Sequence, residues 1–334
     1  MVSDFVNQEM MVEKATKTLF DWRRSYILRK LSELRLEEVI AYFFFIPGLA
    51  ITFRANFFFW LQGYGLGRKI QGGFWRIIIV TLMLPLIPYL ARRSHLSRPL
   101  LILRNALPFL IAFAIYSNLH DTIHFVNPHD VQDWFARADQ WIFGVQPTIW
   151  AQQFYRPWLT EILSFCYTFY LPMTILLPLV LYIQGRDVEA RITLIGIILC
   201  FYCGYIFYIA FPAVPPRLWL ADQYTHHLEG WLLNDTQKAI VSISESSSRA
   251  AFPSLHSSIT LLTLIYSWRY VRKLFWILLP VAIGLIVATV YLRHHYVVDL
   301  IAGITLALFV YKFSPAWDKA WENFRTKLAS ELVK

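Results

Sequence analysis

The sequence is poor in charged residues. Asp, Glu, Lys and Arg make up 16% of its 334 residues, whereas hydrophobic residues make up 57%. A typical soluble domain contains roughly 25% charged residues, so this composition excludes an ordinary soluble domain and predicts an integral membrane protein. A soluble α/β enzyme is the alternative, but the apolar strands of such enzymes are usually shorter and alternate with amphipathic helices.

The sequence also lacks internal repeats and flexible linkers, while long apolar segments recur along it. A transmembrane helix needs about 20 mainly apolar residues, and about eight segments approach this length. We therefore predict an all-α fold, with one polytopic bundle of membrane helices. The predicted spans are 39–60, 77–91, 101–117, 161–183, 192–212, 257–268, 274–292 and 297–313.

Cysteine is scarce as well. Cys200 and Cys203 have the C-x-x-C spacing of redox and zinc sites, but they lie inside an apolar span, and the sequence has no second pair. The third cysteine, Cys166, stands alone. We interpret all three as small hydrophobic residues rather than as a redox or metal site. The sequence contains neither a P-loop nor a dinucleotide-binding fingerprint.

Lys and Arg are distributed unevenly between alternate loops. One set of loops, with the C-terminal tail, carries 14 of them in about 49 positions, and the other set carries 6 in about 91. Because cytoplasmic loops are the basic ones, both termini are predicted to be cytoplasmic. The long loops 118–160 and 213–256 would face the periplasm, the exterior or a lumen. Basic residues in the cytoplasmic loops then explain the net charge of +9, so no nucleic-acid partner is predicted.

The N-terminal region does not show the pattern of a cleaved signal peptide. Residues 12–36 instead combine charged side chains with apolar ones at nearly helical spacing. Such a helix either lies in the membrane surface or packs on the protein in the cytosol. Arg68 and Lys69 would fall on the outer side, so residues 39–76 are either spanning or partly re-entrant.

Three polar clusters interrupt the apolar pattern, and the predicted topology places all three on the outer side. Ionisable residues at membrane depth are costly and usually face a functional cavity. The first cluster is FPAVPPRLW, 211–219, in which three prolines end a helix and Arg217 follows. Taken alone, this pattern is typical of a helix terminator with an interfacial arginine.

The second cluster is AAFPSLHSS, 250–258. Ser254, Leu255 and His256 are expected at the start of a helix. The unpaired amides and the dipole of a helix N-terminus attract phosphate or another anion. A capped helix with one isolated histidine is an equally good interpretation of this cluster on its own.

The third cluster is YLRHHYVVDL, 291–300. If the last span begins near Arg293, His295 and Asp299 lie four residues apart on one helical face, and the carboxylate can accept the Nδ1–H of the imidazole. Nε2 would then be unprotonated and available as a nucleophile or a general base. His294 would point about 100° away, as a structural residue or a head-group contact.

The three clusters together suit phosphoryl transfer without a metal. Histidine can attack phosphorus, cations and amides can hold the other phosphate oxygens, and a second histidine can protonate the leaving oxygen. A magnesium site would instead need several convergent carboxylates, and the clusters do not contain such a set. No metal and no cofactor are therefore predicted.

In this order, the motifs FPAVPPR, AAFPSLHSS and YLRHHYVVDLIAG resemble those of the type-2 phosphatidic acid phosphatase superfamily of integral membrane enzymes. They are most similar to the branch that contains fungal inositol phosphorylceramide synthase and its bacterial relatives. The resemblance implies a six-helix core with the site at its outer mouth. The expected organisation is an interfacial segment at 1–38, accessory membrane helices at 39–99, the catalytic core at 100–313 and a cytoplasmic tail at 314–334.

The resemblance also implies the roles of individual residues. His295 would be the nucleophile that forms a phosphohistidine, and Asp299 would orient it. His256 would protonate the leaving alcohol and later activate the acceptor. The phosphate would be bound by Arg217 and by the amides around Ser254 and Leu255.

The sequence departs from the phosphatase motifs at three positions. Ala210 stands where the first motif has lysine, Leu255 where the second has glycine, and Thr289 where the third has arginine. The synthase branch shares the loss of the lysine and of that arginine. Arg293 lies nearer to the histidines and is expected to supply the missing charge.

The implied function is transfer of a phosphoryl or phospho-head-group from a lipid donor to a lipid or sugar alcohol. Hydrolysis of a lipid phosphate or an isoprenyl (di)phosphate is the alternative, because water can attack the same intermediate. The predicted partners are a phospholipid or isoprenyl phosphate substrate and the bilayer. A transporter would need polar groups that continue through the spans, and a lipid-binding scaffold could lose a histidine; both are less favoured here.

Two further histidines, His120 and His124, stand four residues apart at the outer end of the third span. They could contact a head group, or bind a metal if further ligands were present. The stretch DQWIFGVQP, 139–147, also resembles the synthase branch, and we interpret it as structural.

Overall fold

The computed structural model describes residues 26–61, 78–93, 95–116, 119, 123, 126–243 and 249–332. Within these ranges the regular elements are helices, apart from one isolated β-bridge between Ala213 and Ala250. The helices that position the site are α1 (Leu36–Leu61), α2 (Arg98–Tyr116), α3 (Gln132–Phe143), α4 (Pro157–Thr168), α5 (Tyr170–Ile183), α6 (Asp187–Ala210), α7 (Leu232–Ile243), α8 (Leu255–Tyr270), α9 (Arg272–Tyr291) and α10 (Val297–Leu332).

Helices α2, α6, α9 and α10 are long and apolar enough to cross a membrane. The pair α4 and α5 would provide a fifth span, although the two helices meet at an angle of 43°. The predicted all-α membrane bundle is confirmed, and the described residues provide four or five helices that are long and apolar enough to span. The segment predicted at 257–268 forms a helix of only 16 residues. The segment predicted at 161–183 is broken between α4 and α5.

The bundle is organised around α8, which packs against α5, α6, α9 and α10. A glycine permits its close approach to α10, because a Cβ atom at Gly303 would overlap the Ser257 hydroxyl and the Ser254 carbonyl. A Cβ atom at Gly204 of α6 would likewise lie 2.6 Å from Leu255 Cδ2. These contacts hold the start of α8 against α6 and against the first turns of α10.

Helix α10 begins at Val297, where the predicted span 297–313 begins, so the condition of a start near Arg293 is not met. Helix α9 ends in a Schellman motif: the His294 amide donates to the Thr289 carbonyl at 2.8 Å, and the Arg293 amide donates to Val290 at 3.0 Å. Arg293 has the left-handed φ of 64° that this motif requires at its C′ position. His294 and His295 therefore lie in a tight turn between two helices rather than on a helical face.

At the opposite end of the bundle, ion pairs join α1 to the other helices. Glu38 accepts two hydrogen bonds from Arg104, at 2.6 and 2.9 Å. Arg191 bridges Glu37 and Asp318. Such pairing is what makes charged groups tolerable within a membrane bundle. Most of the predicted amphipathic helix at 12–36 lies outside the described residues.

Candidate active site

Backbone hydrogen bonds join the three polar clusters at one end of the bundle. The Ala251 amide donates to the Ala213 carbonyl at 3.3 Å, which pairs the first cluster with the second. The Arg217 amide donates to the Arg293 carbonyl at 2.8 Å, which joins the first cluster to the third. The fold therefore assembles residues from distant parts of the sequence into one site.

His256 and His295 face each other in this site. Nδ1 of His256 lies 3.2 Å from Nε2 of His295, and the ring centroids are 5.4 Å apart. His256 is on the first turn of α8, whereas His295 is in the turn before α10. The two imidazoles are thus close enough to act on one phosphorus atom.

The partners of His295 Nδ1 fix its tautomer. This nitrogen lies 2.9 Å from the Ala251 carbonyl oxygen and 3.4 Å from Oδ2 of Asp299. Carbonyl and carboxylate oxygens only accept, so Nδ1 carries the hydrogen. Nε2 of the neutral ring then has the free lone pair, and His256 Nδ1–H donates to it. The shorter contact is to Ala251, so the backbone carbonyl orients the ring and Asp299 supports it from behind.

Asp299 also organises the start of α10. Its Oδ2 accepts from the Tyr296 amide at 2.9 Å, and its own carbonyl accepts from the Ser254 amide at 2.9 Å. The other carboxylate oxygen, Oδ1, is buried and has no hydrogen-bond partner in the described part of the chain. Asp299 therefore connects the turn of His295 to the N-terminus of α8.

A second buried carboxylate caps α10 from outside the three clusters. Asp139 of α3 accepts from the amides of Val297, at 2.8 Å, and Val298, at 3.0 Å. These are among the amides that a helix N-terminus leaves without an intrahelical partner. Sequence reasoning assigned 139–147 a structural role but did not identify this contact.

Arg217 is attached to the site through His294. Its Nη1 lies 2.9 Å from Nδ1 of His294. The side-chain amide of Gln237, on α7, lies 2.8 Å from Nε2 of the same ring. His294 was expected to be a structural residue or a head-group contact, and the structure gives it hydrogen bonds at both nitrogens.

Tyr167 lies between two of the histidines. Its ring stacks on His256 at a centroid distance of 4.7 Å and on His294 at 4.4 Å. The three rings form one stack along the wall of the site. Sequence analysis missed both Tyr167 and Gln237, because neither belongs to the polar clusters.

These groups line a cavity of about 300 Å³. His256, His294, His295 and Arg217 contribute its polar part, and Gln237 adds an amide. The remaining wall is mainly aromatic or aliphatic, which suits an apolar ligand with one polar end. That wall includes Phe113, Tyr116, Tyr167, Tyr170, Leu171, Phe201, Tyr208, Ile240 and Val241.

The sequence pattern of the PAP2 superfamily matches residues 133–313, which are more than half of the chain and contain all three clusters. The chain belongs to the PAP2 superfamily. The resemblance inferred from the motifs is confirmed. The fold and the family together make the protein an integral membrane protein.

Two relatives are similar to part of this PAP2 protein. An inositol phosphorylceramide synthase from Candida albicans is 35% identical over 125 residues, which are 33% of this chain and 26% of that protein. A PA-phosphatase related-family protein from Dictyostelium discoideum is 28% identical over 104 residues, 30% of this chain and 19% of that protein. The chain therefore spans about a quarter or less of the length of these relatives. No solved structure matches it.

The residues that depart from the PAP2 phosphatase motifs have structural roles here. The carbonyl of Thr289 accepts the amides of both His294, at 2.8 Å, and His295, at 3.1 Å. The side chain of Leu255 packs against Gly204 and lines the cavity. Ala210 is the last residue of α6. Thr289 therefore serves the backbone of the turn and Leu255 the packing of the site, whereas Ala210 is an exposed helix end.

Arg293 was expected to supply the missing charge at the phosphate site, but its side chain points to a neighbouring loop. Its Nη2 donates to the His226 carbonyl at 2.7 Å, and its guanidinium lies 3.8 Å from the centroid of the Tyr224 ring. Its side chain is not part of the cavity wall. The left-handed backbone at Arg293 directs the side chain to this loop, so the geometry supports an anchoring role.

The Ser254 amide was also expected to bind phosphate, but it donates to the Asp299 carbonyl. The Ser254 hydroxyl accepts from the Ser257 amide at 3.3 Å, so Ser254 is the N-cap of α8. Leu255 is the first residue of that helix. His120 and His124 lie outside the described residues.

Burial alters the protonation of the histidines in the turn before α10. Burial, with the adjacent His256, holds the pKa of His295 well below its ordinary value. Burial, with the neighbouring Arg217, likewise lowers the pKa of His294. Both rings are therefore neutral near neutral pH, which is the state in which His295 can act as a nucleophile.

Proposed function

We propose that this protein is a membrane lipid phosphotransferase or phosphatase that works through a phosphohistidine on His295. The observation that carries the proposal is the 3.2 Å contact between His256 Nδ1 and His295 Nε2 at the wall of a largely apolar cavity. A phosphate ester that enters the cavity would replace this hydrogen bond. Its phosphorus would then lie beside Nε2, and one of its oxygens beside the N–H of His256.

In the first step, the Nε2 lone pair of His295 attacks phosphorus, and the bond between phosphorus and the leaving oxygen breaks. His256, as an imidazolium once the anionic substrate is bound, gives its proton to that oxygen. The positive charge that develops on His295 is stabilised by Asp299 and by the Ala251 carbonyl behind Nδ1. Arg217, held at the cavity wall, stabilises the charge on the other phosphate oxygens.

In the second step, His256 removes the proton of an incoming alcohol or water. The oxygen attacks phosphorus, the bond from phosphorus to Nε2 breaks, and His295 returns to its neutral state. An alcohol gives a new phosphoester, and water gives hydrolysis. No step in this scheme requires a metal or a cofactor, so activity is expected to persist in EDTA.

Transfer of a phospho-head-group to a lipid or sugar alcohol is the favoured reaction. The similarity to the inositol phosphorylceramide synthase supports it, and so does the aromatic cavity wall, which disfavours water relative to an amphipathic alcohol. Hydrolysis is the second candidate, since the other relative is a PA-phosphatase related-family protein.

A panel of substrates tests the proposal. Purified protein is incubated with phosphatidic acid, an isoprenyl diphosphate or phosphatidylinositol, each with and without an alcohol acceptor such as ceramide, and the products are identified by mass spectrometry. A new phosphodiester that forms only with an acceptor supports transfer, and free phosphate supports hydrolysis. If no donor on the panel is consumed, the proposed function is contradicted.

The site is further proposed to face the periplasm, the exterior or a lumen, with both termini in the cytoplasm. The distribution of Lys and Arg supports this orientation. Single cysteines placed at exposed Asp222, near the site, and at Glu331, near the C-terminus, can be tested in sealed vesicles with a membrane-impermeant maleimide. The two cysteines are expected to be labelled from opposite sides of the membrane. Labelling of both Asp222→Cys and Glu331→Cys from the same side would contradict the proposed topology.

A further inference from the structure

Gln237 reaches the site from a helix outside the three clusters. The nitrogen of its buried side-chain amide lies 2.8 Å from Nε2 of His294. The helix that carries it, α7, is fixed at its N-terminus by the carboxylate of Glu161. This carboxylate accepts the amides of Trp231, Leu233 and Asn234 at 2.7, 2.6 and 3.1 Å. Gln237 therefore lies on a firmly held element that contributes to the cavity wall.

The chemistry of the two partners sets the protonation of His294. A guanidinium can only donate, so Nδ1 of His294 must accept from Arg217. A neutral imidazole carries one hydrogen, and it must then be on Nε2. The amide nitrogen of Gln237, which lies nearest to Nε2, would also donate. Gln237 can accept from Nε2–H only after a half-turn of its amide, which exchanges the oxygen and the nitrogen and keeps the contact. The chain Gln237, His294 and Arg217 is thus consistent in one hydrogen-bond direction.

Stacking restricts the His294 ring as well. Tyr167 lies 4.4 Å from it at an interplanar angle of 25°, and the other face of Tyr167 meets His256. A half-turn of the His294 ring about its Cβ–Cγ bond would place carbon atoms where the two nitrogens lie, and both hydrogen bonds would be lost. The ring is therefore held in place by two hydrogen bonds and one aromatic contact.

We propose that His294 is a positioning residue that holds Arg217 at the cavity wall, and that Gln237 selects the Nε2–H tautomer that makes this possible. The inference rests on the proposed function, because it assigns Arg217 to the phosphate. His294 itself does not bond to the substrate. Loss of the Gln237 contact would allow His294 to place its hydrogen on Nδ1, where it would repel the guanidinium.

Binding of orthovanadate, a phosphate analogue, tests the proposal without a known lipid. Isothermal titration of purified protein is expected to show that Gln237→Leu and His294→Phe weaken vanadate binding at least about tenfold. His294→Phe retains an aromatic ring beside Tyr167. A loss of vanadate affinity in this variant would therefore be due to the missing hydrogen bonds. His294→Asn presents an oxygen near the Nδ1 position and should recover part of the affinity. Thr236→Leu, an exposed neighbour on α7, is the matched control.

Wild-type affinity in Gln237→Leu, with the protein folded, would overturn the inference. The tautomer can be read independently of any ligand from the ¹⁵N shifts of histidine-labelled protein, with His294→Phe used for assignment. A protonated Nε2 on His294 that is lost or mixed in Gln237→Leu supports the inference, and a protonated Nδ1 in the wild type overturns it. If the wild type does not bind vanadate, the proposed function is contradicted. The ¹⁵N measurement of the His294 tautomer then still tests whether Gln237, His294 and Arg217 are hydrogen-bonded as proposed.

Discussion

Nδ1 of His256 donates a hydrogen bond to Nε2 of His295 across 3.2 Å, although the two residues are 39 positions apart in the sequence. This contact joins the first turn of α8 to the turn before α10. The same His295 ring donates from Nδ1 to the Ala251 carbonyl. On the proposed mechanism His295 reacts at Nε2, and the predictions below follow from this arrangement.

Asp299→Asn is expected to slow turnover but not to abolish it. The Ala251 carbonyl, at 2.9 Å, still holds the Nδ1–H tautomer, while the negative charge that stabilises the imidazolium is lost. A hydrogen bond to a charged group contributes about 1.5 to 3 kcal/mol, which corresponds to roughly 10- to 100-fold in kcat. Steady-state kinetics on the preferred substrate provide the measurement, and Asp222→Asn in an exposed loop is the control. Complete inactivation of folded Asp299→Asn would show that the carbonyl does not orient the ring.

The pH profile should reflect the lowered pKa of His295. This ring must be neutral to attack, and burial together with His256 holds its pKa well below the ordinary value of about 6.5. It therefore stays neutral as the pH falls toward that lower pKa, so the acidic limb of kcat/KM is expected below about pH 6.5. An alkaline limb from loss of the general acid His256 should appear in kcat, because that ring is protonated only in the substrate complex. The limbs belong to the coupled histidines rather than to one ring. An acidic limb above pH 7 would contradict this account.

Gly303→Ala should disrupt the contact between α8 and α10. The added methyl group would overlap the Ser254 carbonyl and the Ser257 hydroxyl, and overpacking of this kind costs about 1 to 3 kcal/mol. Thermal unfolding in detergent is expected at a lower temperature, and activity should fall because His256 and His295 move apart. Gly48→Ala in α1 is the control, since nothing lies within 4 Å of its Cβ position. Equal stability of the two variants would mean that α8 and α10 accommodate the added methyl group, which would contradict this prediction.

Asp139→Ala removes the acceptor for two amides at the start of α10. Loss of a helix cap costs about 0.5 to 2 kcal/mol, and the turn that carries His295 should become less ordered. Hydrogen exchange at Val297 and Val298 should accelerate, with a reduced kcat. Asp133→Ala, an exposed residue of the same helix, should change neither. Unchanged exchange at Val297 in Asp139→Ala would show that the cap is dispensable.

The sequence was sufficient to predict the membrane bundle and the proximity of His256, His295 and Asp299. The spacing of His295 and Asp299 predicted their contact, although the assumed helical face was wrong and a Schellman turn with a capped helix produces it instead. Composition does not reveal a bend such as that between α4 and α5.

The remaining features depend on contacts between distant segments. Gln237 and Tyr167 lie in stretches without a distinctive pattern, and only packing brings them to His294. Arg293 is close to the histidines in sequence, but its left-handed backbone directs its side chain toward Tyr224. Ser254 precedes a helix as predicted, yet its amide is used by Asp299. A local pattern can indicate such residues but cannot determine where their side chains point.

The most direct test of the central claim is to find the phosphorylated residue. His256→Ala should slow both formation and breakdown of the intermediate, because it lacks the acid of the first step and the base of the second, so the wild type is used for the trapping. The protein is incubated with its donor lipid, quenched at alkaline pH, digested and analysed by mass spectrometry. The predicted result is a phosphoryl or phospho-head-group adduct on His295 that is absent from His295→Asn. Turnover of the donor by His295→Asn, or an adduct on another residue in the wild type, would contradict the account.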